Sequence, residues 1–303
     1  MKIKQTLIEG GTKKDQNKKK TTLTVIIATA CLLAIALIFL LVFTIVTAIA
    51  NKQPDEEETP VANIGATEVI TLAEAQLYEG TLLTLDDEHP YMGSANMVLM
   101  KDIERPQTVG GTNAYTIGGM STLCGTAESI RALNSMIEGF YKATHDDNIY
   151  VANAHNSEAG AAQDAVYVSG NAFELKYFSA AESEDWSKKD TIYGVEIYKW
   201  IYNNAHKYGF ITMSAEGEGS NVFRFVGTVH ATAIKSEGIT FNSYLESVRS
   251  ATPETPLTVI VGGSVYGVYY LGPESEHKVP VNYAYTISGD NLGGYIITVK
   301  TSK

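Results

Sequence analysis

Two periodicities divide the chain. Between Val195 and Leu245, apolar side chains fall at Ile197, Trp200, Ile201, Ala205 and Tyr208, a spacing that puts them on one face of a helix. Gly209 follows at once, where a left-handed helix terminus favours glycine. The pattern then predicts a short strand from Phe210 to Met213, a polar loop, and an alternating strand through Phe223, Arg224, Phe225 and Val226. Gly227 breaks that strand, and a second helix opens near Thr228. Upstream, Thr126 is a suitable N-cap for a helix over Ala127–Thr144 with the stripe Ile130, Leu133, Ile137, Phe140 and Tyr141. Tyr78–Tyr91 alternates weakly, as a strand ending in a turn at His89-Pro90, and Ile149–Val151 reads as another strand. From Pro253 the period shortens. The runs Leu257–Val261 and Val265–Leu271 flank Gly262-Gly263, and Tyr283–Ser288 and Tyr295–Lys300 flank a glycine-rich turn. Both are hairpin signals, so residues 253–303 read as a small all-β appendage.

One run departs from both periods. From Thr21 to Asn51 there is no charged residue, and about 20 apolar residues suffice to cross a bilayer. Residues 21–50 therefore read as a transmembrane helix. A cleaved signal peptide ending at Ala48-Ile49-Ala50 is the rival, but its apolar region would be only about 7–15 residues long. Seven lysines against Glu9 and Asp15 make residues 1–20 a basic cytoplasmic tail, which places the rest of the chain outside the cell membrane. Residues 51–66, with the acidic run Asp55-Glu56-Glu57-Glu58, read as a linker.

Composition narrows the partners. The chain carries a net charge of −11, with the acid concentrated beyond the apolar run, which argues against nucleic acid. Its two cysteines, Cys31 in the span and Cys124 outside it, cannot form a disulfide staple, and Cys124 reads as a buried small apolar residue.

The central stretch resembles the VanY-like zinc D-alanyl-D-alanine carboxypeptidases. In that family a W-L-x-x-N-A-x-x-Y-G-F helix and strand precede an E-x-W-H-F-R-Y-V-G-x-x-H-A strand. The first motif stands here as Trp200, Ile201, Asn204, Ala205, Tyr208, Gly209 and Phe210. The second stands as Phe223, Arg224, Phe225, Val226, Gly227, His230 and Ala231. The resemblance implies an α+β fold, a VanY-like/Hedgehog-type carboxypeptidase domain over residues 67–252. That domain would lie between the membrane helix and the β appendage.

The same resemblance locates a site. The family draws two zinc ligands from S-x-H-x-x-G-x-A-x-D, and here Gly170 and Ala172 match its Gly and Ala. That puts Tyr167 at the first His and Glu174 at the Asp, while the second motif puts Val222 at the remaining His and Gly219 at the catalytic Glu. Zinc hydrolysis needs three protein ligands and a carboxylate beside the metal-bound water. On this reading the chain has no catalytic residue, no metal ligand set and no cofactor. Zinc is expected only if the ligands come from elsewhere. Asn156 and Ser157 fall where the family's substrate-facing Arg and Ser stand, and Arg224 completes the candidate substrate contacts. His155 reads as a loop residue, and His206 and His230 as helix-surface residues or residues behind the site.

Three functions remain open. The first is a pseudoenzyme that binds peptidoglycan stem peptides or a cell-wall partner protein. The second is an active D,D-carboxypeptidase trimming stem peptides, and the third a structural, membrane-tethered assembly subunit that docks through its β tail.

Overall fold

Thr126 does what a cap residue should: its hydroxyl accepts the Ser129 amide at 3.2 Å and opens the longest described helix, Ala127–Thr144. The computed structural model describes residues 37–38, 60–118, 122–158, 164–177, 190–213, 220–273 and 275–301. The basic tail, residues 51–59, Gly219 and all of the predicted membrane span except Leu37 and Ile38 lie outside the described residues. Among the described residues no helix is long and apolar enough to cross a membrane. The chain divides into Met1–Thr59 and Pro60–Lys303, and the architecture below is that of the second unit.

In chain order the strands are β1 (Thr67–Val69), β2 (Met97–Leu99), β3 (Thr116–Ile117), β4 (Leu123–Thr126), β5 (Ile149–Asn153) and β6 (His155–Asn156). Then come β7 (Ala172–Tyr177), β8 (Asp190–Thr191), β9 (Phe210–Thr212) and β10 (Val222–Phe225). The tail supplies β11 (Leu257–Val261), β12 (Ser264–Leu271), β13 (Lys278–Pro280), β14 (Tyr285–Gly289) and β15 (Tyr295–Lys300). The α-helices are α1 (Ala127–Thr144), α2 (Ala165–Val168), α3 (Lys199–Asn204), α4 (Thr228–Glu237) and α5 (Phe241–Arg249).

A mixed sheet in the order β3-β5-β7-β10-β9 forms the centre, with β8 beside the far end of β7. Only β3 runs parallel to its neighbour. The alternation read in β10 decides the layers. Phe223 and Phe225 join Phe173, Leu175 and Phe210 in one core with α1 and α3. Ile211 and Val226 face the other way, into a core with α4 and α5. The helix predicted over residues 197–208 forms in three pieces, with 3₁₀ turns over Glu196–Tyr198 and Ala205–Tyr208 either side of α3. This rotation buries Tyr198 and leaves Ile197, placed on the apolar face by its spacing, 38% exposed. Gly209 ends the helix at φ +86, and a Cβ there would come within 2.6 Å of the Phe225 ring.

The tail forms a four-stranded antiparallel sheet, β11-β12-β15-β14, from the two expected hairpins. Val259, Val268 and Ile296 of that sheet share the α4–α5 core with Leu82 and Val226. Segments outside 253–303 pack on it too: Ala62 and Ile64 are buried, and the Ala62 amide donates to the Thr258 hydroxyl at 2.9 Å. Residues 60–64 are thus packed chain rather than solvated linker. The weak alternation over Tyr78–Tyr91 does not make a strand. Its groups bond to side chains and turns instead: the Leu82 amide donates to the Ser288 hydroxyl at 3.0 Å and the Thr84 amide to the Asp290 carbonyl at 2.9 Å.

Candidate functional site

Sheet register brings two of the residues singled out in the sequence together. Val222 stands directly opposite Glu174 across β10 and β7, and Glu174 is paired in turn with Asn153 on β5. Directly opposed residues on antiparallel strands share a face. Asn153, Glu174 and Val222 therefore form a row on the face that also carries Arg224, away from α1. α2 delivers the third position: Tyr167 is buried at its C-terminal turn, and the Asn153 amide hydrogen-bonds its phenol. Burial first, and then the Glu174 and Asp164 carboxylates, raise the phenol well above its ordinary pKa, so it stays neutral.

The turn between α2 and β7 is held hard. Gly170 lies at φ +69, and a Cβ there would fall 2.3 Å from the Met97 sulfur. Its carbonyl accepts the Thr126 amide at 2.9 Å and the Ser129 hydroxyl at 2.8 Å. Next to it Asn171 is buried, accepting the Thr126 hydroxyl on its side chain at 3.0 Å and the Phe225 amide on its carbonyl at 2.7 Å. These contacts fix where residues 167 and 174 must stand.

What stands there does not suit a zinc ion. Val222 has no donor atom. Tyr167 offers a neutral phenol, and a metal ligand must be deprotonated. Glu174 is the one good oxygen donor, and the Lys176 ammonium already lies 3.2 Å from it. Among the described residues no group of three or more His, Cys, Asp or Glu side chains converges on one point. With one carboxylate, no chemical step can be derived through a metal here.

The remaining candidates separate. Asn156 and Ser157 lie on and just after β6, which pairs with β4 in a separate sheet. The Asn156 side chain accepts the Glu158 amide at 3.0 Å, and the Ser157 hydroxyl donates to the Thr122 carbonyl at 3.3 Å. Arg224 is not exposed to a ligand. Its guanidinium is buried, donates to the carbonyls of Thr81 at 3.3 Å and Leu83 at 2.5 Å, and sits 4.3 Å from the centre of the Phe241 ring. Burial lowers its pKa to about 10, which leaves it charged at neutral pH. It is a strut between residues 81–83 and β10, a correction to its expected place among the substrate contacts.

One histidine also differs from its sequence reading. His155 is on β6 rather than in a loop; its ring lies within hydrogen-bonding reach of the Tyr167 backbone, and its buried Nδ1 has no partner among the described residues. His230, read as a helix-surface residue or one behind the site, is buried. It joins the Tyr244 hydroxyl of α5 at 2.7 Å to the Thr298 hydroxyl of β15 at 3.0 Å, and burial lowers its pKa to about 4. Lys176 and Asn171 went unremarked in the sequence. Their roles depend on register and on a turn conformation, and neither leaves a compositional mark.

No protein-family model matches the chain. A D-alanyl-D-alanine carboxypeptidase from Enterococcus faecium is 32% identical over 111 residues, which are 33% of this chain. The match spans 36% of that curated relative's length. Among solved structures, the D,D-dipeptidase VanXYg in complex with a D-Ala-D-Ala phosphinate analog covers 78% of this chain and 100% of its own, at 17% identity and a TM-score of 0.58. VanYB in complex with D-alanine-D-alanine covers 55% and 98%, at 16% identity and a TM-score of 0.33. The sequence resemblance to D-alanyl-D-alanine carboxypeptidases is thereby borne out, and the fold is the mixed helix-and-sheet fold of a VanX/VanY-type peptidase.

Proposed function

We propose that the chain is a membrane-anchored, extracytoplasmic relative of the D-alanyl-D-alanine carboxypeptidases that binds peptidoglycan stem peptides, or a cell-wall partner presenting similar chemistry, without hydrolysing them. One observation carries the reading. Val222 stands opposite Glu174, whose carboxylate acts on the Tyr167 phenol, and at these three positions, where the resemblance puts the zinc ligands, the side chains are a neutral phenol, a lysine-paired carboxylate and a hydrocarbon. A turn held by Gly170 and Asn171 beside such side chains favours recognition over turnover. The E. faecium relative and the ligands in the VanXYg and VanYB structures support D-Ala-D-Ala termini as the first chemistry to test. The anchor rests on the uncharged run over residues 21–50 and the lysines before it.

Titration calorimetry of the full chain in detergent with a D-Ala-D-Ala-terminated pentapeptide tests this reading. Saturable heat without released D-alanine is the expected result. Absence of heat, together with unmoved NMR signals of Tyr167 and Glu174, would remove the peptide-binding function.

A further inference from the structure

The tail sheet ends in two unlike edges. Its β14 edge is closed: the Gly289 amide donates to the Glu79 carbonyl at 2.8 Å, and a Cβ on Gly289 would fall 2.0 Å from the Leu77 carbonyl oxygen. The β11 edge has no such cover. Gly262 and Gly263, at φ +56 and +81, make a two-residue hairpin that pairs Val261 with Ser264. In such a hairpin Leu257, Val259 and Val261 turn their main-chain groups towards β12, and those of Thr258 and Ile260 turn outward. Among the described residues no strand pairs with that outer side and no backbone bond reaches those groups. The side chains are open as well: Thr258 is exposed and Ile260 is 44% exposed.

Edge strands are ordinarily guarded by a charge, a proline or a bulge, because free main-chain groups are a template for another strand. Leu257–Val261 has none of these. It pairs with β12 without a register shift, and no charged residue stands between Glu254 and Glu274, in a chain whose net charge is −11. Val61, which precedes the Ala62 amide bound to the Thr258 hydroxyl, adds a further exposed apolar side chain.

The strand's own geometry points to its occupant. Thr258 and Ile260, the two residues with outward main-chain groups, lie symmetrically about Val259. An antiparallel copy centred on Val259 sets Thr258 against Ile260 twice, and each of these pairs can exchange two main-chain hydrogen bonds. The operation is a two-fold rotation, so the contact closes on itself. A second copy brings no charge to the strand, so nothing there opposes the pairing, and nothing there selects an acidic or a basic partner instead.

We infer that β11 is a homodimer interface: two copies of the chain join edge to edge about Val259 and make one continuous antiparallel sheet from two four-stranded ones. This dimer does not depend on the peptide-binding reading.

Sedimentation of the full chain in detergent should show a concentration-dependent dimer. Ile260→Lys, which puts a charge on the exposed edge, and Ile260→Pro, which removes an outward amide and no ladder bond, should each weaken it about tenfold or more. Wild-type circular dichroism in both variants separates lost pairing from lost folding. Cross-linking in a Cys31→Ser background reads the register. Opposed residues of a hydrogen-bonded pair lie about 5.5 Å apart at Cα, within disulfide range, whereas two copies of residue 258, or of residue 260, do not oppose each other. An oxidised mixture of Thr258→Cys and Ile260→Cys chains should therefore cross-link in higher yield than either variant alone. The inference is overturned by a monomer at about 100 μM, a concentration at which specific pairing is ordinarily visible. A dimer as strong in either Ile260 variant as in the wild type, or cross-linking no greater in the mixture, would overturn it as well.

Discussion

The two ends of strands β7 and β10 have kept different things. At the end nearest Gly170, backbone and side chain interlock: Gly170 and Asn171 bond back to Thr126 and Ser129, and Arg224 ties β10 to residues 81–83. Three or four residues along, at Glu174 and Val222, the same strands hold the same register but present no ligand set. The difference separates what a fold needs from what a reaction needs. Donor atoms on a half-open face contribute little to stability, so they are replaceable while the strands that carried them are not.

That contrast can be broken by mutation. Arg224→Ala should be the most damaging change, because it opens a cavity under Phe241 and strips the Thr81 and Leu83 carbonyls of their donor, at about 3–5 kcal/mol. Urea unfolding would measure it, and a loss near zero would mean that Arg224 is not the strut described. Next comes acid. His230 titrates at about 4 when folded against an ordinary value of 6.5, so the unfolded chain binds more protons between those pH values. Its contribution is complete above pH 6.5 and fades as pH falls towards 4, by on the order of 3 kcal/mol. His230→Gln, which keeps one hydrogen bond, should flatten that pH dependence in melts taken across the window.

Gly170→Ala follows, at about 2 kcal/mol, since it meets both a left-handed backbone and the Met97 sulfur. Glu174→Gln should be the mildest. The pair with Lys176 is part-exposed, and such pairs are worth under about 1 kcal/mol. A larger loss on chemical denaturation would make Glu174 part of the framework and erase the contrast.

Much of this was legible from residue order alone. The cap at Thr126, the αL glycine at 209 and both tail hairpins follow from local rules that the fold obeys. The pairing of Glu174 with Val222 leaves no mark in the sequence, because no periodicity aligns residues on separate strands. Arg224 misled for a physical reason. An arginine on an alternating strand looks solvent- or ligand-facing until the residues 81–83 that cover it, some 140 positions away in sequence, are placed. Of the two readings of His230, helix surface or behind the site, local sequence could not choose, since its partner Thr298 comes from the last strand.

The central claim is that positions 167, 174 and 222, where the resemblance puts the zinc ligands, cannot hold a hydrolytic metal, and elemental analysis of the purified full chain tests it most directly. The wild type should carry no stoichiometric zinc, whereas the double variant Tyr167→His/Val222→His should take up one ion per chain through His, Glu and His. One chelator-sensitive zinc in the wild type, accompanied by release of D-alanine from a D-Ala-D-Ala peptide, would contradict the account.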